Sequence, residues 1–215
     1  TAATLEKHGA KVKGATVAIQ GFGNVGRYAA LVSQELGMKV VAISDVTGGI
    51  KDKSGIDIKE IFSHRTLETV EGYERMNADE LLETHCEVLI PAALGGVINE
   101  TNCGKINADF IVEGANQPIT IVADRELRAS GVVIVPDILA NSGGVMGSYF
   151  EWTQNIQEFS WPLDKFRREL DLRMEKAFGN VHVVSKKYSV DLRTAAMVVA
   201  VGRVAQAFEL RGSLV

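Results

Sequence analysis

The chain has 215 residues, of which 46% are hydrophobic and 23% charged, and its formal net charge is -4. That length and balance exclude global disorder and suit one sizeable α/β domain with its own core. The mildly acidic charge, without a dense Lys/Arg cluster, excludes the basic footprint of a nucleic-acid binder.

Residues 1–7 read as helix interior and no Met opens the chain, so a piece of a longer protein is expected. Residues 15–20 then form an apolar run that predicts a strand, followed by a helix over 24–36 and a second strand over 39–44. Gly48-Gly49 predicts a tight turn in a small hairpin after that strand. Further strands are expected at 88–91, 110–113 and 132–135, with helices at 77–83, 99–103 and 121–130. Gly104 is a natural stop for the second of these. The strand candidates are short and rich in Val and Ile, as strands covered on both faces should be. Such alternation predicts a Rossmann-type, doubly wound, mostly parallel sheet with helices on both faces.

Beyond residue 145 the strands stop. Leu163, Phe166, Leu170, Met174, Ala177 and Val181 recur at three- and four-residue steps, the apolar face of a long helix whose first turn suits Pro162. A final helix is expected over 195–210, with Gly212 past its end. The economical organisation is one domain, 1–215, with a core over about 14–145 and a C-terminal helical extension over about 146–215.

Cys86 and Cys103, and His8, His64, His85 and His182, are scattered, with neither disulfide-framework nor metal-ligand spacing. They read as reduced thiols and as surface or core histidines, which fits a cytoplasmic, metal-free protein. The longest apolar stretch, 195–201, is far short of the ~20 residues a membrane span needs, so no membrane partner is expected.

The chemistry-bearing motif is Gly21-Phe22-Gly23-Asn24-Val25-Gly26, a G-x-G-x-x-G between a strand and a helix. In such a turn the first glycine permits the bend, the second admits a pyrophosphate to the backbone, and the third lets helix and strand pack closely. Free N–H groups and the positive end of the helix dipole then face the phosphates. Asp45 follows about 20 residues on, where an acidic side chain can bind adenosine ribose hydroxyls. A carboxylate there repels a 2′-phosphate, so NAD is favoured over NADP. On spacing alone a flavin, a ligand-free glycine turn, and an Asp45 that only caps the following turn stay open.

Four segments carry a more specific likeness: residues 14–26, Leu89-Ile90-Pro91-Ala92-Ala93-Leu94, Val112-Glu113-Gly114-Ala115-Asn116, and residues 135–145 running on to Ser148-Tyr149-Phe150-Glu151-Trp152. Together, and with Leu192-Arg193-Thr194-Ala195-Ala196, they resemble the glutamate dehydrogenase branch of the glutamate/leucine/phenylalanine/valine dehydrogenase family. The resemblance implies that Gly21, Phe22, Gly23, Asn24, Val25, Gly26 and Asp45 hold a nicotinamide dinucleotide. It implies that Ala92 and Ala93 line the ribose region, and that the Asn116 and Asn141 amides serve the nicotinamide carboxamide and ribose. Ser148 would contact the side-chain carboxylate of glutamate, where relatives acting on apolar amino acids carry an apolar residue. Turn-capping by the asparagines and close helix packing at Ser148 are the plainer readings of the same residues. Met146-Gly147, Gln117 and Leu94-Gly95-Gly96 depart from the family's usual Thr-Val, Gly or Ala, and more polar stretch.

In that family the proton-transfer lysine and aspartate lie in a separate N-terminal domain, and no glycine-rich lysine segment of that kind occurs here. The resemblance therefore implies a chain without catalytic residues, inactive alone and a monomer or weak dimer, taken from a homohexameric enzyme that converts L-glutamate to 2-oxoglutarate and ammonium. The same domain of a leucine, phenylalanine or valine dehydrogenase, or a non-catalytic dinucleotide-binding module, are the alternatives.

Overall fold

Val17-Ala18-Ile19, Val40-Val41-Ala42-Ile43, Val88-Leu89-Ile90 and Ile111 are all buried, so these β-branched and aliphatic runs form strands enclosed on both faces. The computed structural model describes residues 1–212, which divide into two compact units, Thr1–Asp137 and Ile138 onward.

The first unit runs α1 (Ala2–Lys7), β1 (Thr16–Gln20), α2 (Asn24–Glu35), β2 (Lys39–Asp45), β3 (Gly48–Lys51), α3 (Ile58–Ile61), β4 (Glu74–Met76), β5 (Cys86–Pro91), β6 (Ala108–Val112), α4 (Ile121–Ala129) and β7 (Val133–Val135). The strands form one sheet in the order β4-β3-β2-β1-β5-β6-β7. Pairings from β2 through β1, β5 and β6 to β7 are parallel, whereas β2–β3 and β3–β4 are antiparallel. The chain thus builds outward from β1 on one side, then returns past it to build the other. The reversal falls between β1 and β5, and in such sheets the ligand crevice lies outside the C-terminal ends of those strands. The expected doubly wound, mostly parallel sheet is what forms.

One core cluster gathers Ala18, Leu89, Ile111 and Ile134 from the strands with Leu81, Leu82, Ala123 and Leu127. Burying a Leu or Ile side chain stabilises by about 1.5–3 kcal/mol. Cys86 lies in the same cluster, and burial pushes its thiol up to about 12, so it stays protonated at neutral pH.

Three local expectations change. The 99–103 segment is a turn leading into a 3-10 turn at Cys103–Lys105 that contains Gly104. Asn99 Oδ1 accepts from the Thr101 N–H and hydroxyl, and Asn102 bonds the Asn99 N–H and the Val97 carbonyl. Such local side-chain bonds compete with helix. The 77–83 segment shortens to a 3-10 turn at Asp79–Glu83. The hairpin after β2 exists, but Gly48 and Gly49 lie in β3, because Asp45 supplies the turn by accepting from the Thr47 N–H and hydroxyl.

After α5 (Asp137–Ala140), which straddles the division, the second unit holds α6 (Ser142–Gln157), α7 (Leu163–Tyr188) and α8 (Leu192–Arg211). Phe150 on α6 is 1% exposed, with the rings of Trp161 and Phe166 at 5.3 and 5.5 Å and the Arg173 guanidinium at 5.3 Å. Gly143 and Gly147 let α7 come close: a Cβ at Gly147 would sit 3.4 Å from Phe166. The expected apolar face of α7 is partly or fully buried from Phe166 to Val181 and includes Phe178, but Leu163 is exposed. Pro162 sits at the N-cap, one residue before the first turn. Asp191 caps α8 by accepting from the Thr194 N–H and hydroxyl. Among the described residues no helix is long and apolar enough to cross a membrane.

Candidate functional site

The turn from β1 into α2 is shaped by two glycines that no other residue can replace without movement. Gly21 adopts φ +103, and a Cβ there would lie 2.9 Å from the Ala92 carbonyl oxygen. Gly26 packs against the turn so tightly that a Cβ would fall 1.8 Å from the Gly21 oxygen. Gly23 is different: a Cβ there would meet nothing within 4 Å. The protein's own packing makes no demand for glycine at that exposed position, whereas a ligand pressed against its backbone would. This is the division of roles expected of a pyrophosphate-binding turn.

Gly23 is also the N-cap of α2, in extended conformation and without a side-chain cap. In the same unit Asp57 caps α3 and Thr120 caps α4 through their side chains. The first N–H groups of α2 are therefore left for another acceptor, with the dipole favouring an anion. Asn24 and Val25 are exposed beside Gly23. The Phe22 side chain is 3% exposed, with the Arg27 guanidinium 4.6 Å from its ring centroid, so only its backbone borders the turn.

Neighbouring strand tips converge on this turn. The Gly21 N–H donates to the Ser44 carbonyl at 2.8 Å and the Ala92 N–H to the Gln20 carbonyl at 2.8 Å. The Gly114 and Ala115 N–H groups donate to the Pro91 carbonyl at 3.0 and 2.9 Å. Ala92 and Ala93 thus flank Gly21 at the reversal point between β1 and β5, and the exposed Asn116 follows the tip of β6. Glu113, fully buried, accepts from the Asp137 N–H at 2.7 Å, and Asp137 in turn accepts from the Gln117 N–H at 2.8 Å. These carboxylates fix the loop that carries Asn116. Gln117 has φ +45, a conformation that explains why glycine suits the position.

Asp45 ends β2, next to β1. Its Oδ1 accepts from Thr47 and its Oδ2 accepts from the Leu67 N–H at 2.7 Å. A carboxylate has about four lone-pair positions, so these donors leave roughly one for a ribose hydroxyl. The turn-capping reading and the ligand reading of Asp45 are compatible.

Asn141 and Ser148 belong to the second unit. Asn141 is the N-cap residue of α6 without a side-chain cap hydrogen bond, and Ser148 is exposed two turns along the helix. Sequence reasoning missed Arg27, Glu113 and the segment around Leu67. Arg27 stands directly after the glycine motif, which was the available signal, but nothing local predicts which distant carbonyl it reaches. Among the described residues no group of three or more His, Cys, Asp or Glu side chains could hold a metal ion.

Comparison with known proteins agrees with this geometry. The family model described as Glutamate/Leucine/Phenylalanine/Valine dehydrogenase matches residues 1–212. The glutamate dehydrogenase of Thermotoga maritima is 51% identical over 205 residues, which cover 93% of this chain and 49% of that protein. The hetero-hexameric glutamate dehydrogenase of Thermus thermophilus, in a leucine-bound form, superposes with a TM-score of 0.91 at 31% identity over 99% of this chain and 51% of its own. The enzyme from Peptoniphilus asaccharolyticus gives 0.81 at 32% identity, over 97% of this chain and 50% of its own. The chain spans about half the length of these relatives. With a match across nearly every residue and a strand-turn-helix motif in which Gly21 and Gly26 are sterically required and Gly23 is open, the chain belongs to the glutamate/leucine/phenylalanine/valine dehydrogenase family.

Proposed function

We propose that this chain is the nicotinamide-dinucleotide-binding part of an enzyme that oxidatively deaminates L-glutamate to 2-oxoglutarate and ammonium. The single observation that carries the reading is the open space at Gly23 between two glycines whose Cβ positions are blocked. The likeness to glutamate dehydrogenases supports the substrate class.

In this reading Gly23, Asn24 and Val25 offer backbone N–H groups to the diphosphate, and the α2 dipole adds about 0.3–1 kcal/mol. Gly21 and Ala92 keep that approach free of side chains, and Asp45 accepts one hydroxyl of the adenosine ribose. NAD is the favoured cofactor, because the Asp45 carboxylate disfavours a 2′-phosphate. Asn116 and Asn141 present amides, each both donor and acceptor, to the carboxamide and its ribose. When bound, the dinucleotide supplies the hydride acceptor and this chain supplies its orientation. The dinucleotide-binding core spans about residues 14–145, and the helical extension about 146–215. Proton transfer belongs to lysine and aspartate groups of a further domain, so the chain alone binds without turnover, as a monomer or weak dimer. The whole enzyme assembles as a homohexamer in the cytoplasm.

Gly23→Ala tests the site. The variant should keep its fold, losing about 1 kcal/mol or less at the cap, while calorimetric NADH affinity falls at least about tenfold, or 1.4 kcal/mol. Unchanged affinity would remove the diphosphate from this turn. Ser148→Val tests the substrate in the full-length enzyme. A hydroxyl bonded to a carboxylate contributes about 1.5–3 kcal/mol, so kcat/KM for glutamate should fall by roughly ten- to a hundredfold. An unaltered preference for glutamate would refute the role of Ser148.

A further inference from the structure

The segment between α3 and β4 has no regular structure apart from a 3-10 turn at Leu67–Thr69, yet three charged side chains from three other elements grip its backbone. From β2, Asp45 accepts the Leu67 N–H at 2.7 Å. From α2, Arg27 Nη2 donates to the His64 carbonyl at 2.7 Å. From β4, Arg75 donates to the carbonyls of Leu67 at 2.7 Å, Glu68 at 2.8 Å and Val70 at 2.5 Å. His64 Nδ1 also pairs with the Thr69 hydroxyl at 3.0 Å. Charge-assisted bonds of this kind are stronger than neutral ones, and surface loops are not ordinarily held by so many.

Two of the three grips start in the glycine motif's own neighbourhood. Arg27 follows Gly26 directly, and its Nη2 also reaches the Phe22 carbonyl at 3.4 Å. Its guanidinium lies 4.6 Å from the Phe22 ring centroid and 5.8 Å from that of Phe62. One guanidinium therefore links the glycine turn to the 62–64 backbone. Its Nε is buried without an acceptor among the described residues. A buried unpaired donor carries a desolvation cost, so Arg27 is held by what its other atoms bridge. Asp45 makes the second link, between the ribose-side tip of β2 and Leu67.

We infer that residues 62–70 form a preformed wall of the adenosine-ribose subsite, and that Arg27 is a positioning residue that sets this wall against the glycine turn. The inference rests on the dinucleotide reading above. An acidic residue at the tip of the second strand marks the adenosine side of such a site, and the segment is fastened to that residue and to the turn together. A wall fixed before binding spares the ligand the cost of ordering a loop. The ligand chemistry is that of an adenosine diphosphate, not of the nicotinamide half.

The test uses the full chain with two probes, ADP-ribose and nicotinamide mononucleotide, titrated calorimetrically, and amide hydrogen exchange read by mass spectrometry. Arg27→Met keeps the stem and removes the bridge. It should weaken ADP-ribose at least tenfold, leave nicotinamide mononucleotide unchanged, and speed exchange over 62–67 in the free protein. Arg27→Lys should recover part of the ADP-ribose affinity. Should Arg27→Met not fold, the unmodified chain decides, since ADP-ribose should slow exchange over 62–70 as well as over 21–26. Wild-type ADP-ribose affinity in folded Arg27→Met, equal losses for both probes, or protection of 21–26 without 62–70 would overturn the inference and leave the dinucleotide reading standing. No saturable ADP-ribose binding by the unmodified chain would overturn both.

Discussion

Gly26→Ala is expected to abolish measurable dinucleotide binding and to destabilise the first unit by about 3 kcal/mol or more, the upper range for overpacking. The added Cβ would lie 1.8 Å from the Gly21 oxygen and 2.8 Å from its carbonyl carbon, both backbone atoms. Gly21 has nowhere to go. Its N–H is bonded to the Ser44 carbonyl, and a Cβ built on it would already lie only 2.9 Å from the Ala92 carbonyl oxygen. The strain must pass into the tip of β1 or the first turn of α2, and either shift moves the N–H groups offered to the ligand. Urea unfolding followed by circular dichroism, with calorimetry on the folded fraction, measures both effects. A variant as stable as the parent would mean that α2 is not packed on the turn as described. Gly26→Ala should thus damage fold and ligand together, whereas Gly23→Ala should damage the ligand alone, and the contrast separates the two glycine roles.

Phe150→Ala is expected to cost about 3–5 kcal/mol, the range for emptying a buried aromatic site. Phe150 is 1% exposed and is the ring on which Trp161, Phe166 and Arg173 meet, so it joins α6, the segment after it, and α7. Gly147 keeps Phe166 close. Trp161, with its ring centroid 5.3 Å away, is a built-in reporter. Its fluorescence transition in urea should move to lower concentration, and a shift worth less than about 1 kcal/mol would contradict the packing role. Phe150→Leu should lose much less, because most of the volume remains.

Much of this was legible in the sequence, for identifiable reasons. The five parallel strands stand out because burial on both faces forces continuous Val, Ile and Leu runs. α2 stands out because a glycine turn precedes it. β3 and β4 carry no such mark. Gly48-Gly49 lacks side chains to show a pattern, and Glu74-Arg75-Met76 is a short polar edge whose pairing is set by its neighbours. The Asn99 and Asn102 side chains bond their own backbone, which pattern reasoning took for a helix start. In the site, the fingerprint glycines were legible because their spacing between a strand and a helix is local. Asp45 was legible as an acid at the right distance, but not its grip on Leu67, twenty-two residues away. The bridges made by Arg27, Arg75 and Glu113 are tertiary, and a single chain read in order has no signal for them.

The central claim is that the backbone between Gly21 and Gly26 receives the diphosphate. Titrating NADH into isotopically labelled chain while recording amide NMR spectra tests it most directly. The largest saturable shifts should fall on Gly21, Phe22, Gly23, Asn24, Val25 and Gly26, with smaller ones at Asp45 and Ala92. Saturable shifts confined to other residues, or none at all in a folded sample, would contradict it.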